Sequence, residues 1–351
     1  MSPPHPRFGI WALVHGSRGA LQDPEEPFDA SWDRNMRLVQ EAEALGYDAT
    51  LIAQHTVNPY SDTLDQLEAW TASAALAAVT ERIEIITAIK PLLFHPVVLA
   101  KMALQIESIS RGRFGINLVN AWNREELEKA GIAFPEHDAR YAYGAEWLTV
   151  VEALLRGERL SFSGRHFHVD DYVLRPKDAY RPRPRIYLGG ESEPARALAA
   201  GKADVWFING QPLAAVRDLI LDVSSRPRSG QPLRFGLSAF VIARETDAEA
   251  QAALDRLLEL AAKDAPLRAA QAGRTDPNVV MKHTMARTNA VGTNGGTAAG
   301  LVGSYDNVAK RIQDFVEVGV ETFMLQFQPF EPEMRRFASE IIPRVRRLLR
   351  A

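Results

Sequence analysis

The residues best placed to do chemistry gather in one short run, Gly189-Gly190-Glu191-Ser192. An apolar strand at 186–188 leads into it, and a proline and an alanine-rich helix follow. Strand, glycines, small polar residue and helix start, in that order, build an anion pocket. The glycines let the backbone approach a ligand, and the free N–H groups and positive end of the helix dipole attract a phosphate. A paired glycine is also what a plain strand-to-helix turn needs, so the surrounding chain has to decide.

Eight apolar runs bounded by turn residues lie at 7–13, 48–53, 83–88, 112–119, 185–188, 204–208, 234–243 and 321–326. Most are apolar throughout, as strands buried on both faces are. Helical periodicity alternates with them at 33–45, 70–79, 96–109, 140–155, 194–200, 246–262, 304–318 and 333–349. Gly46, Gly201 and Gly319 mark stops, Pro96 a start, and Thr246 to Glu249 comes close to a capping box. Eight strand–helix units in 351 residues predict an α/β fold of TIM (β/α)8 barrel type. A doubly wound sheet is the alternative, but no GxGxxG follows the first strand. One domain is expected over 1–351, with insertions at about 157–184 and 263–303. The second contains GTNGGTAAG (292–300), which reads as a mobile cover for an active site.

In a barrel the ligand sits where strands meet the loops that follow them. Those ends carry residues 11–15, Gln54-His55, Lys90-Pro91, 117–122, 189–192, Asn209-Gly210, Phe240 and 326–328. Aromatics and amides dominate. There is no glycosidase-type carboxylate pair and no GxSxG elbow. His55, His95, His137, His166, His168 and His283 are scattered, without HExxH spacing, so no metal site is expected. Such a ring suits a flat, phosphorylated cofactor more than side-chain chemistry. With a net charge of −3, nothing favours nucleic acid or an anionic membrane. Without cysteine there is no disulfide or thiol chemistry. No apolar run approaches the ~20 residues of a membrane span, and no signal-peptide pattern opens the chain. A cytoplasmic enzyme is expected.

Several stretches in order resemble the bacterial-luciferase-like flavin monooxygenases, above all the dimethyl sulfone, alkanesulfonate and pyrimidine monooxygenases. They are LAAVTERIEI (76–85), ESISRGRFGINLVNAW (107–122), HDARY (137–141), DYVLRPK (171–177), YLGGESEPARALAA (187–200), AFVIARETDAEA (239–250) and GLVGSYDNVAKRI (300–312). The resemblance implies FMN, used as FMNH2 with dioxygen, a separate NAD(P)H:FMN reductase, a small-molecule substrate, and a homodimer or homotetramer. It also implies flavin contacts at Gln54, His55, Asn117 and Glu126. Arg140, Tyr141, Gly190 and Ser192 would hold the phosphate or ribityl chain. His55 and Asn117 are the candidates for a direct part in the chemistry.

Glu191 departs from the pattern, since relatives often carry serine there. A carboxylate beside a phosphate is repulsive unless it points away. The substrate region departs too. Asn294 stands where alkanesulfonate monooxygenases have a lid arginine, Gln328 where they have a tyrosine, and Phe240 where they have a histidine. Arg287 offers a replacement cation, and Trp11 a pocket wall. A neutral sulfone or heterocyclic amide fits such a pocket better than a simple sulfonate. An F420-dependent oxidoreductase and a non-catalytic flavin binder are the other readings.

Overall fold

A computed structural model describes residues 5–16, 19–273, 276, 280, 288 and 290–350. Among the described residues twelve strands form, numbered in chain order: β1 Arg7–Trp11, β2 Ala49–Ile52, β3 Glu84–Ile89, β4 Phe114–Leu118, β5 Leu160–Ser163, β6 His168–Tyr172, β7 Arg185–Gly189, β8 Val205–Ile208, β9 Arg234–Phe240, β10 Ile242–Arg244, β11 Val302–Ser304 and β12 Val320–Gln326. Eight of them close a barrel in the order β1-β12-β9-β8-β7-β4-β3-β2, and every pairing around it is parallel. These eight are the strands expected from the apolar runs, and the fold is a TIM barrel.

The helices are α1 Trp32–Ala44, α2 Ala69–Val79, α3 Pro96–Ser110, α4 Arg124–Glu128, α5 His137–Leu155, α6 Glu193–Lys202, α7 Leu213–Ser224, α8 Asp247–Lys263, α9 Ala265–Gly273, α10 Tyr305–Glu317, α11 Phe330–Arg336 and α12 Ile342–Leu348. Local chemistry sets their ends. The Ser31 side chain accepts from Arg34 N–H and caps α1, and Thr246 and Glu249 complete a capping box on α8. The expected last helix is broken by a π turn over Phe337–Ile341. Pro343 follows in the first turn of α12 and has no N–H to continue the ladder.

Both insertions carry structure. Within 157–184, β5 and β6 pair antiparallel. The run at 234–243 splits because the backbone changes partners. Val241 N–H bonds Gln326 O, Ile242 N–H bonds Leu301 O, and β10 then pairs with β11. No described helix is long and apolar enough to cross a membrane.

The barrel floor is closed by charge. Arg7 Nη2 donates to Glu84 Oε2 at 2.6 Å, Arg185 Nη1 lies 3.1 Å from the same oxygen, and Tyr187 donates its hydroxyl to Glu84 Oε1 at 2.9 Å. Burial alone would raise the Glu84 carboxyl, but the two arginines outweigh it and hold the group below its ordinary value. Tyr187 stacks on Phe207, ring centres 5.3 Å apart, and begins the filling of the interior above this floor.

Candidate active site

A cavity of about 640 Å³ opens at the carboxyl ends of the barrel strands. Trp11, Gln54, His55, Asn117, Arg140, Tyr141, Gly190, Ser192 and Asn294 all line it. Residues far apart in sequence are thus brought to one face.

One end of the cavity is the β7–α6 junction. Gly190 adopts φ +114°, and a Cβ there would stand 3.1 Å from the Tyr141 hydroxyl and 3.2 Å from Ala195 Cβ. Only glycine suits that backbone. Trp206 Nε1 donates to Gly190 O at 2.8 Å and pins the turn. Ser192 occupies the N-cap position of α6 without capping it, and its buried Oγ faces the Tyr141 hydroxyl. The neighbouring Glu191 leans toward the next loop. Its Oε1 accepts from Asn209 N–H at 2.7 Å and Gln211 Nε2 at 2.9 Å. Burial pushes this carboxyl up to about 6, against those hydrogen bonds and Arg196.

Arg140 lines the same region but is already engaged. It donates to Asp276 and, at 2.7 Å, to Pro135 O, and lies 4.1 Å over the Phe134 ring. Its charge is therefore balanced inside the protein. Burial raises the Tyr141 phenol above its ordinary value, with a weak opposing pull from Ser192.

Mid-rim, Asn117 sits on β4 between Ala88 of β3 and Tyr187 of β7. Its Oδ1 is buried and unpartnered, as is Asn120 Nδ2 three residues further on. Buried polar atoms are normally satisfied, so this pair is a candidate for ligand contact.

The far end holds a charge cluster. Lys90 Nζ lies 2.5 Å from Glu126 Oε2, and His55 Nδ1 is 3.1 Å from that oxygen and 3.2 Å from Lys90 Nζ. Thr56 donates to Glu126 Oε1 from its N–H at 2.8 Å and its hydroxyl at 3.2 Å. Burial alone would raise the Glu126 carboxyl. The His55 hydrogen bond and Lys90 charge outweigh burial and hold it at about 2. At Lys90 burial wins, and the ammonium falls below its ordinary value despite Glu126. Lys90 and His55 line the cavity, whereas Glu126 lies behind them with a fully buried side chain. Glu126, expected as a flavin contact, is thus joined to His55 and Lys90 and stands behind the cavity wall. Gln54 Oε1 accepts from Lys90 N–H at 2.9 Å and fixes the same corner.

Two expected substrate positions fall outside the cavity wall. Phe240 is fully buried in a separate apolar cluster with Ala20, Ile242 and Val291. Gln328 donates through Nε2 to Ala20 O and Asp23 Oδ2, each at 2.9 Å, and accepts from Ala20 N–H at 2.8 Å. It is a tie between the last strand and the first loop. His95 caps α3 and packs on Phe167. Arg287 and His283 lie outside the described residues.

The glycine-rich segment 292–300, read as a cover for the site, is hydrogen-bonded to the barrel rim. Thr293 N–H donates to Gln326 Oε1 at 3.0 Å, Gln326 Nε2 donates back to Thr293 O at 2.9 Å, and Gly210 N–H donates to Asn294 O at 2.8 Å. Gly295 at φ +86° packs directly on the Gly210 backbone. Here glycine serves close approach rather than motion. Trp11 Nε1 donates to Ser238 Oγ at 3.2 Å, which sets that aromatic wall beside Gln326.

Sequence reasoning placed Lys90 and Asn120 at strand ends but gave neither a role, and it passed over Asp276, which acquires meaning only from Arg140 beside it.

This fold is shared with known enzymes. The luciferase-like monooxygenase family pattern matches residues 6–322, and the chain belongs to that family. It is therefore a flavin-dependent monooxygenase. It is 31% identical, over 97% of its length and 96% of the relative's, to an FMNH(2)-dependent dimethylsulfone monooxygenase of Pseudomonas putida. Among solved structures it resembles a long-chain alkane monooxygenase with a TM-score of 0.81 at 18% identity, covering 97% of this chain and 91% of that one. An F420-dependent secondary alcohol dehydrogenase, at TM-score 0.71 and 17% identity over 97% and 99% of the two chains, shares the same fold.

Proposed function

We propose that this enzyme is the oxygenating half of a two-component system. An NAD(P)H:FMN reductase supplies FMNH2, and the chain uses it with dioxygen to add one oxygen atom to a small organosulfur compound, foremost a sulfone. One observation carries the reading. One cavity, with aromatics and amides in its wall, holds both a buried, unpartnered amide oxygen at Asn117 and a buried hydroxyl at a helix start, Ser192. That donor set fits a flat ring joined to a phosphate.

Ser192, Gly190 and Tyr141 would hold the phosphate end, with Arg140 and Asp276 shaping its wall. Asn117 would meet the edge of the isoalloxazine ring, and the Gln54-His55 segment its neighbourhood. Bound FMNH2 supplies the electrons that activate dioxygen. His55, steered by Lys90 and Glu126, would hold or move a proton at its second ring nitrogen. Trp11, Trp122 and Phe207 line the cavity and exclude water.

The sulfone assignment draws on the name of the Pseudomonas putida relative and on charge. Among the described residues, the lining cations Lys90, Arg140 and Arg268 each face a carboxylate: Glu126, Asp276 and Asp264. A sulfonate would have to compete for them. Exposed Val79 on α2, and Val98 and Ile109 on α3, favour a homodimer or homotetramer built on these helices. The chain would work in the cytoplasm, beside its reductase.

The test is a turnover screen. Purified enzyme with FMN, NADH and a flavin reductase is given sulfones, alkanesulfonates and pyrimidines, and oxygenated product is read by mass spectrometry. Sulfone oxygenation supports the proposal, and pyrimidine oxygenation alone redirects the substrate class. The F420-dependent neighbour motivates a second reading, hydride transfer with F420. Binding of reduced F420, without FMNH2 binding or oxygenated product, would establish it instead.

A further inference from the structure

Ser238, on β9, is 3% exposed and lines the cavity. Strand geometry sets its direction. Gly236 lies two residues earlier, and a Cβ there would run into the Phe207 ring, which stacks on Tyr187 inside the barrel. Residues two apart on a strand share a face. Ser238 therefore points into the barrel, one layer above Phe207.

The hydrogen bonds around its hydroxyl admit one assignment. Thr293 N–H can only donate, so the Gln326 atom facing it is Oε1. The other amide atom is then Nε2, which donates to Thr293 O at 2.9 Å and to Ser238 Oγ at 3.4 Å. Trp11 Nε1, a donor only, reaches the same Oγ at 3.2 Å. A hydroxyl has two lone pairs and one hydrogen. Both lone pairs of Ser238 are taken, and among the described residues no group accepts its O–H. A buried donor left over in a cavity wall calls for an acceptor on the ligand.

The barrel order says which ligand. β2, β3, β4 and β7 are consecutive neighbours, and Gln54, Lys90, Asn117 and Gly190 stand at or just beyond their ends. β1, β12, β9 and β8 form the other arc, which brings Trp11, Ser238 and Asn209 to the cavity. With FMN held by the first arc, the oxygen that meets Ser238 belongs to the substrate. Trp11 and Phe207 beside it offer apolar surface to alkyl groups.

We propose that Ser238 is a specificity-determining residue whose O–H, locked as a donor by Trp11 and Gln326, recognises a sulfonyl oxygen of the substrate. A sulfone offers two such acceptors and asks for none in return. A group that must itself donate, such as an amide N–H, finds no lone pair free at Ser238. The inference rests on the FMN and sulfone readings.

The test is anaerobic calorimetry of dimethyl sulfone and dimethyl sulfide, which differ only in the sulfonyl oxygens, on protein carrying FMNH2. Ser238→Ala should weaken the sulfone about three- to tenfold and the sulfide less than about twofold. Ser238→Cys, close in shape but with only a weak S–H donor, should show the same selective loss. Ser238→Thr keeps the hydroxyl and should keep the wild-type ratio of the two affinities. FMNH2 affinity should stay at the wild-type value in all three variants. Equal losses for sulfone and sulfide would make Ser238 a tie between strands and overturn the inference while the sulfone reading stands. Weaker FMNH2 binding with an unchanged sulfone-to-sulfide ratio would give the hydroxyl to the cofactor and overturn it as well. Wild type that binds FMNH2 but no dimethyl sulfone would overturn the sulfone reading and the inference together, and wild type that binds no FMNH2 would overturn the FMN reading beneath both.

Discussion

Lys90 and Glu126 form a buried ion pair, 2.5 Å apart, that backs His55 at the cavity rim. Removing one member leaves the other charged and unpaired. Glu126→Gln or Lys90→Met should each cost about 3–5 kcal/mol of stability, while the double variant Lys90→Met/Glu126→Met should recover most of it. Chemical denaturation of the four proteins closes the cycle. Additive losses would mean the pair is not coupled.

The same pair gives a signed pH dependence. Glu126 sits at about 2 in the fold against an ordinary 4.5, so its contribution is fully present above 4.5. It is lost as pH falls from there toward 2. Wild type should lose stability across that window more steeply than the double variant, as thermal melts at stepped pH would record.

Asn117→Ala deletes an acceptor that no protein group uses. Stability should change little, while affinity for reduced FMN should fall about three- to tenfold, the worth of one net hydrogen bond. An anaerobic fluorescence titration measures it. An unchanged Kd would remove Asn117 from the cofactor contacts.

Gly190→Ala places a Cβ against Tyr141 and Ala195 at φ +114°. The expected cost is about 1–3 kcal/mol. FMN binding should suffer more than riboflavin binding, because the displaced turn leads into the phosphate end. Equal losses for the two flavins would argue that this turn serves only the fold.

Gln328→Ala separates structural from substrate roles. It strands the Ala20 backbone groups and Asp23, at a cost of about 2 kcal/mol or more. Ratios of kcat/KM among substrates should stay constant. A changed substrate ranking would restore Gln328 to the binding pocket.

Much of the frame was legible in the sequence because burial on both faces leaves uninterrupted apolar runs, and all eight barrel strands announced themselves this way. The ring of strand-end residues followed directly from that frame. What failed did so for physical reasons. α4 spans five residues, too few to show a period. α7 opens after Pro212 with no side-chain cap, so no start signal marks it. Glycines at 292–300 look alike in sequence whether they confer motion or permit contact; only Gly210 against Gly295 distinguishes the two. Phe240 and Gln328 follow strand ends as expected, yet Phe240 is taken up by an apolar cluster and Gln328 by the first loop, partnerships that only the folded chain reveals.

The charged floor has a consequence for how this barrel can change. Arg7, Glu84, Arg185 and Tyr187 join three strands at the end remote from the cavity. Closure of the cylinder is thereby secured away from the cavity. Rim residues can then be exchanged, even for ones that leave amide or hydroxyl groups unsatisfied, without unsealing the bottom. New substrates become accessible to such a scaffold by altering its mouth alone.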